Sequence, residues 1–581
     1  MERTYKLVKE KFSVNFLATL GMASSIAIAS IIDMIMVGNF LGGSALAALN
    51  LNSPVICIIN VVFGFFVFGG NTLAVTLKAE RNQDGANRAF SVSIVFGTLV
   101  MGIIAFLGII FRSYVAGMLC RNNEELLPFV MGYLVPLLIT GVLAIPVNGT
   151  CAYVRVDDLQ RLALTVPIVS NIVNLLFDYI FMGILHLGIA GAGWATNVGY
   201  AAGILCLSQY FVSKKRSFYF SFGGLTDLGM IRETLKTGLA SALVDACLFI
   251  QSLTMNLIIV SAFGAIGAQV AAVALSAQNI AAIFYKGTTQ TMLPVGGALY
   301  GEKDYTGLRE VMKSGFVMTE IFMLVIVALL EIFAIPFGIV FGVSSPEAKE
   351  LVGYAFRLYI LSFPFVGAKE CLRVVLQSTN RKNAASWLTG LSGTVCFVPV
   401  IWVLAVTIPM LLWTSSAIAA ILSICGCLVC LRFLAKKKTE AEGILIPKAT
   451  GDVKTFEFSI KNTIADAESA SVRMINLCRE NGLEERYANY FGIAVEEMRT
   501  NIARYAYKDK ESAADIFLGI DKKELLLRIR DNGVIFNPTE FVDDGGTEIT
   551  GLKFLKMLPV KAEYNRVLGF NNTIISIVRD L

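Results

Sequence analysis

The sequence predicts an all-α polytopic membrane protein, about twelve transmembrane helices in two six-helix pseudo-symmetric halves, followed by a soluble α+β domain. Three observations carry this. The 581 residues are 55% hydrophobic and only 16% charged, with a mean hydropathy of +0.67, whereas soluble proteins carry about 25% charged residues. Apolar runs of about 20 residues, the length that crosses a bilayer core, recur from Ser13 to Phe433. From Lys436 onward the pattern changes to the alternation and helical periodicity of a globular domain.

In chain order, residues 1–12 form a polar, basic N-terminal segment. The first half, 13–213, contains expected spans 13–40, 48–76, 90–116, 126–152, 162–184 and 189–212. A linker, 214–237, leads to the second half, 238–434, with spans 238–263, 267–296, 314–342, 352–377, 386–409 and 412–434. Internal prolines such as Pro54, Pro136, Pro146, Pro294, Pro364 and Pro399 mark bent or broken helices, common where freed backbone groups line a cavity. A second linker, 435–450, precedes the tail, 451–581.

Orientation follows from the basic residues. Alternate loops carry Lys78, Arg81 and Arg88, then Arg155 and Arg161, then Lys214, Lys215 and Arg216, then Lys303, Arg309 and Lys313, then Arg381 and Lys382. Opposite loops are nearly bare, Arg121 and Lys349 being the main exceptions. The positive-inside rule places both termini in the cytoplasm. The net charge of +5 points to no nucleic-acid partner. Eleven scattered cysteines argue for reduced thiols, and the cluster Cys425, Cys427 and Cys430 lies inside an apolar span, where Cys packs as a small hydrophobe. A single histidine, His186, argues against histidine catalysis.

Polar residues stranded in the apolar runs are the candidate functional groups. A carboxylate in hydrocarbon costs about 2.5 kcal/mol or more, so Asp33 and Asp178 point to ion or proton handling. Asn174 and Asp178 lie one helical turn apart, and Asn171 extends their polar stripe. The alternative for such groups is a polar contact that only glues helices. Paired buried carboxylates repel when both are ionised and so take up H+ or Na+. In the second half, Asp245, Glu370 and Arg373 are candidate substrate or coupling groups. Glu370 and Arg373, three apart on one helix, can equally form a self-neutralising pair.

Repetition is visible: Gly38-Asn39-Phe40-Leu41-Gly42-Gly43 is matched by Ala262-Phe263-Gly264-Ala265-Ile266-Gly267, an offset of roughly 220 residues. At that offset Asn174 and Asp178 map near Cys396 and Val400, which predicts a single ion site in the first half.

The stretch from Ile32-Asp33 through Val37-Gly38-Asn39 to Gly42, followed by Ala45-Leu46-Ala47-Ala48, resembles the first helix of multidrug and toxic compound extrusion (MATE) transporters. So does Asn171-Ile172-Val173-Asn174-Leu175-Leu176-Phe177-Asp178-Tyr179, followed by Gly188-Ile189-Ala190-Gly191-Ala192-Gly193-Trp194-Ala195-Thr196. The likeness covers residues 10–435. It implies a twelve-helix bacterial inner-membrane exporter of organic, often cationic and amphipathic compounds in exchange for H+ or Na+. The positions matching Asp33, Asn174, Asp178 and Thr196 then line the cation site.

In the tail, strands are expected around Phe456 to Ile460, at 516–520, 525–530 and 573–578, with helices at 463–481 and 484–507. Val495-Glu496-Glu497-Met498-Arg499-Thr500-Asn501 resembles the helix of GHKL ATP-binding domains, especially anti-sigma-factor serine kinases, as does Arg530-Asp531-Asn532-Gly533 after a strand. The resemblance implies an α+β sandwich binding ATP and Mg2+, with Asn501 on Mg2+, Glu497 as a general base of a serine/threonine kinase, and Asp531, Gly533 and Gly551 on the nucleotide. Ile549 stands where the phosphate loop's first glycine is expected, and its Cβ hinders close backbone approach. Tyr505 replaces a basic residue. Alternatives are a membrane-anchored sensor gating a kinase tail, and a flippase for a lipid-linked intermediate. Little beyond Arg373 would bind phosphate in the cavity, which disfavours the flippase. No Gly-x4-Gly-Lys-Ser/Thr loop exists, which disfavours an ATP-driven pump. A regulatory protein is the expected partner of the tail, alongside the lipid bilayer and the small organic substrates.

Overall fold

The computed structural model describes residues 3–41, 45, 48–49, 51–120, 126–221, 223, 227–340, 346–437, 445–446, 454–461, 464–502, 513–521, 524–539 and 560–578. Among the described residues eleven long helical segments lie in the apolar part, α1 (Lys6–Leu41), α2 (Ser53–Ala79), α3 (Gln83–Ile110), α4 (Leu127–Val156), α5 (Gln160–Ile184), α6 (Ile189–Val212), α7 (Leu228–Gly301), α8 (Tyr305–Ile332), α9 (Lys349–Ser378), α10 (Lys382–Thr407) and α11 (Pro409–Phe433), with shorter helices at Arg112–Cys120 and Ala334–Val340.

The expected spans 238–263 and 267–296 form one helical run, α7, rather than two separate helices. A straight run at ~1.5 Å per residue would hold Asp245 and Lys286 about 60 Å apart. They form an ion pair at 3.3 Å, so α7 doubles back on itself. The reversal lies between those two residues. Ten segments among the described residues are long and apolar enough to cross a membrane, against the twelve expected. The other two, α6 and the returning arm of α7, are helical but outside those ten.

Several spans carry π-helical turns, at Gly64–Phe68, Val92–Phe96, Tyr179–Ile184, Val352–Phe356 and Leu391–Val395. A π turn holds one residue more than an α turn and is frequent at functional sites. One begins directly after Asp178. Pro136 and Pro146 lie inside α4 and Pro167 inside α5. The Pro136 carbonyl itself accepts from the Asn197 amide of α6 at 3.1 Å.

The tail forms a five-stranded antiparallel sheet of order β1-β2-β3-β5-β4, built from β1 (Lys454–Lys461), β2 (Ala513–Ile520), β3 (Glu524–Asp531), β4 (Lys561–Val567) and β5 (Phe570–Val578). The helices α12 (Ile464–Glu480) and α13 (Glu485–Asn501) cover one face. Strand alternation sets the faces: Phe458, Ile460, Ile516, Leu518, Leu525, Leu527, Ile529, Ile575 and Ile577 enter the core with Met474, Phe491 and Val495. β4 is an addition to the expected strands. Its Lys-Ala-Glu-Tyr-Asn-Arg-Val sequence lacks the alternation that reveals the others.

Candidate functional site

The first-half candidates converge. Asn174 and Asp178 are buried on α5, and Asp33 is half-buried on α1. Helix α6 approaches α5 closely because Gly199 and Gly203 face Ser170: a Cβ at Gly199 would sit 2.5 Å from the Ser170 carbonyl oxygen. That approach carries Thr196, one turn before Gly199, onto Asn174. The Asn174 amide donates to Asp178 Oδ2 at 3.1 Å and lies 3.4 Å from Thr196 Oγ1. The Asp33 and Asp178 carboxyls are within hydrogen-bonding reach of each other. Asn171 faces the same helix as Asp33, donating to Ser25 Oγ at 2.8 Å and to its carbonyl at 3.1 Å. Sequence reasoning did not single out Asn148 and Tyr200, which line the cavity in front of these groups, or Tyr133, which lies beside both carboxyls. Asn148 and Tyr200 are hydrogen-bonded to one another at 3.3 Å. A lone Tyr or Asn in an apolar span was the available signal.

Asp178 Oδ1 is the decisive atom. It is buried and receives no hydrogen bond from any described residue. Its neighbour, the Asp33 carboxyl, is another acceptor, so the pair is satisfied only when a proton or a cation lies between the two acids. Two carboxylates, one amide and one hydroxyl are hard oxygen donors. Among the described residues no group of three or more His, Cys, Asp or Glu side chains is placed to hold a metal ion. With at most two negative charges, the set fits a monovalent ion or protons.

The second-half candidates are built differently. Asp245 is paired with Lys286 at 3.3 Å. Glu370 accepts from Arg373 Nε at 2.7 Å and pairs with Lys369 Nζ at 2.9 Å, and Arg373 also donates to Gln377 at 2.7 Å. Lys369 and Glu370 line a cavity with Gln251, Gln278, Tyr285 and Tyr359. Glu320 on α8 escaped the sequence analysis although it is an acid within an expected span. Its Oε1 is buried with no partner among the described residues.

In the tail, Asp531 ends β3 on the helix-facing side. Its Oδ1 accepts from the Asn571 amide at 2.9 Å and the Gly533 N–H at 2.8 Å. Burial pushes the Asp531 carboxyl above the usual carboxylate range, and those two donors offset part of that rise. Glu497 lies half-buried on α13, and Asn501 ends the same helix. Gly551, Ile549 and Tyr505 lie outside the described residues, as does the side chain of Asn501. Asp531 and Gly533 are thus brought together, while the phosphate and Mg2+ end of the expected ATP site has no described geometry.

The MatE family model matches residues 19–180 and again residues 241–403, so each half carries one copy of the family's unit. The multidrug export protein MepA of Staphylococcus saprophyticus is 22% identical over 386 residues, 64% of this chain and 82% of the relative. Solved structures share the fold. A Vibrio cholerae MATE transporter, VcmN, solved as a mutant, is 17% identical with a TM-score of 0.68, covering 74% of this chain and 98% of that one. An outward-facing multidrug resistance MATE transporter of the MOP superfamily is 19% identical with a TM-score of 0.69, covering 75% and 98%. A MOP superfamily transporter from Pyrococcus furiosus, distinguished by the reverse polarity of its binding pocket, is 19% identical with a TM-score of 0.67, covering 74% and 97%. Two matches of one family model, in order and spanning more than half the chain, place this protein in the MatE family.

Proposed function

We propose that the chain is a secondary multidrug exporter of the bacterial inner membrane, exchanging H+ or Na+ for amphipathic organic compounds, with both termini in the cytoplasm and a nucleotide-responsive regulatory tail. The orphaned Asp178 Oδ1 facing a second carboxyl carries this reading. The family, and the multidrug export named for the relative at 22% identity, supply the substrate class.

The coupling follows from charge. With both acids ionised, Asp33 and Asp178 repel across α1 and α5. A proton or Na+ between them draws the two helices together, with Asn174 holding Asp178 and Thr196 adding an oxygen. The two states of occupancy therefore favour different packings of α1, α5 and α6, and an ion can move that equilibrium only through such a difference. The π turn after Asp178 gives α5 a place to change register without breaking its hydrogen bonds. Cation entry from outside then favours the packing that releases drug outward, and drug entry favours cation release inward.

The test is dye counterflow in proteoliposomes under proton or Na+ gradients. Wild type moves dye under at least one gradient, and Asp33→Asn and Asp178→Asn reduce that movement to background while still inserting. Full activity in both variants rejects the scheme. Nucleotide binding by the tail is read separately, by ATP titration of the full chain against Asp531→Asn.

A further inference from the structure

The sheet has a second face, and its chemistry is unusual for a face turned away from a domain's own core. Arg528 and Arg530 alternate with Leu527 and Ile529 along β3, which ordinarily signals exposure to water. Yet their side chains are only 5% and 2% exposed, because this face is pressed against the helical part of the chain.

The contacts reach both halves. On the second-half side lies the turn between α7 and α8. There Arg530 bonds Asp304 Oδ2 at 2.7 Å and also contacts Glu302. Arg528 donates to the Glu302 carbonyl at 2.6 Å, and the Asn572 amide donates to Glu302 Oε1 at 3.1 Å. The N-terminal Arg3 ties the same point together, reaching Asp304 at 2.6 Å, Glu457 at 2.9 Å and Asp515 at 3.3 Å. Burial alone would raise the Asp304 carboxyl, but Arg3 and Arg530 outweigh it and hold it well below the usual carboxylate range.

On the first-half side, Arg81 after α2 pairs with Glu563 at 2.7 Å, and the Asn565 amide donates to the Lys78 carbonyl at 2.5 Å. Arg566 reaches Asp158, between α4 and α5, at 3.4 Å. The β4–β5 turn has positive φ at both Leu568 (54°) and Gly569 (78°), and a side chain at 569 would strike Asp158 and Lys11. Val567, Leu568 and Phe570 share one apolar cluster with Leu73 and Phe90 of the first half and Met292 and Leu308 of the second. The turn is therefore seated in the seam. There α2 and α7 are in close contact, with Gly69 against the Thr234 carbonyl oxygen and Gly301 against that of Thr76.

We propose that the charged face of the tail sheet is a docking surface for both transporter halves at once, a brace that keeps their tail-side ends together until Arg528 and Arg530 leave Glu302 and Asp304 or the 567–570 turn leaves the seam. This rests on the exporter reading only in supposing that the halves part there during a cycle. The register of β3 and β5 links the brace to the tail's interior. Arg530 pairs with Asn572 and faces the transporter, while the next pair, Asp531 with Asn571, faces the candidate nucleotide pocket. A ligand that moves Asp531 shifts the brace through one peptide unit.

Hydrogen-exchange mass spectrometry on the full chain in nanodiscs tests this without substrate or gradient, so a chain that moves no dye can still confirm or overturn the brace. Arg530→Glu and, independently, Leu568→Asp are expected to speed exchange about tenfold or more at the tail-side ends of α2 and α7, as local opening becomes easier. Core amides of β3 keep wild-type protection. Arg530→Lys keeps a cation facing Glu302 and Asp304 but loses the guanidinium fork that serves both acids and Asn572, so its rise is expected to be smaller than that of Arg530→Glu by the same measure. Unchanged exchange in both disrupting variants overturns the brace, as does an equal rise in Arg530→Lys. Loss of β3 protection in Arg530→Glu shifts the decision to Leu568→Asp alone.

Discussion

The two halves are copies of one family unit, and the acids that the sequence singles out in each are built differently. In the first half, Asp33 and Asp178 face each other with the Asn174 amide and the Thr196 hydroxyl at hand, and no ion pair holds either acid among the described residues. In the second, Asp245 and Glu370 are each ion-paired with cationic side chains of the same half: Lys286 for one, Lys369 and Arg373 for the other. Removing an ion from water costs several kcal/mol, which a fixed partner offsets permanently and a mobile one only while bound. An acid with its own counterion is insensitive to the surrounding cation concentration; Glu320, also in the second half, has no such partner among the described residues for its buried Oε1. An acid pair without one is responsive, and on the proposed reading that makes the first half the coupling lobe.

The largest expected effect strikes the coupling lobe. Asp178→Asn should cut gradient-driven dye transport to background in proteoliposomes, while its thermal unfolding in detergent stays at or above wild type because a buried charge is removed. The converse holds in the other lobe. Glu370→Gln strands two cations, and truncating one partner of a buried pair costs about 3–5 kcal/mol. Its unfolding temperature should therefore fall by several degrees. If Asp178→Asn is the less stable of the two, the contrast between the lobes is wrong.

Thr196→Ala sharpens the comparison. Loss of one hydroxyl, worth about 1 kcal/mol, should raise the half-saturating cation concentration about fivefold and leave the maximal rate near wild type. The same change at Thr389, beside Lys369 in the second-half cavity, should leave the cation dependence unmoved. Smallest of all is the response of the tail interface to mild acid. Because Asp304 titrates below its unfolded value, its contribution is fully present above about pH 4. It is lost only as pH falls further, toward the folded value. Exchange at residues 302–304 should thus match at pH 5 and pH 7, once corrected for the intrinsic rate.

The sequence showed the polar constellation because the signal is local. Asn174 and Asp178 share a face by helical spacing, and Thr196 follows in the next helix. It showed Glu370 with Arg373 for the same reason. What it missed depends on long-range placement. Lys369 neighbours Glu370 in the chain, but its place at the same carboxylate depends on the cavity wall. Lys286 reaches Asp245 only because α7 doubles back. Glu320 was visible and overlooked. In the tail, strands with one apolar face were legible, whereas β4 is mostly polar because its neighbours include Lys78 and Arg81, with only its end at Val567 entering an apolar cluster. Arg528 and Arg530 look like any water-facing residues, since charge alternating at period two reads the same whether the opposing surface is solvent or a row of acids.

A sheet with α12 and α13 on one side and a transporter on the other has no open plane left. Newcomers are restricted to its rims, and β4 is already held by Arg81 and Lys78. Among the described residues, the surfaces left for a protein recruited to this tail are the outer side of the two helices and the ladder edge beside β1. Mapping where a captured partner cross-links would reveal which rim serves as the entrance.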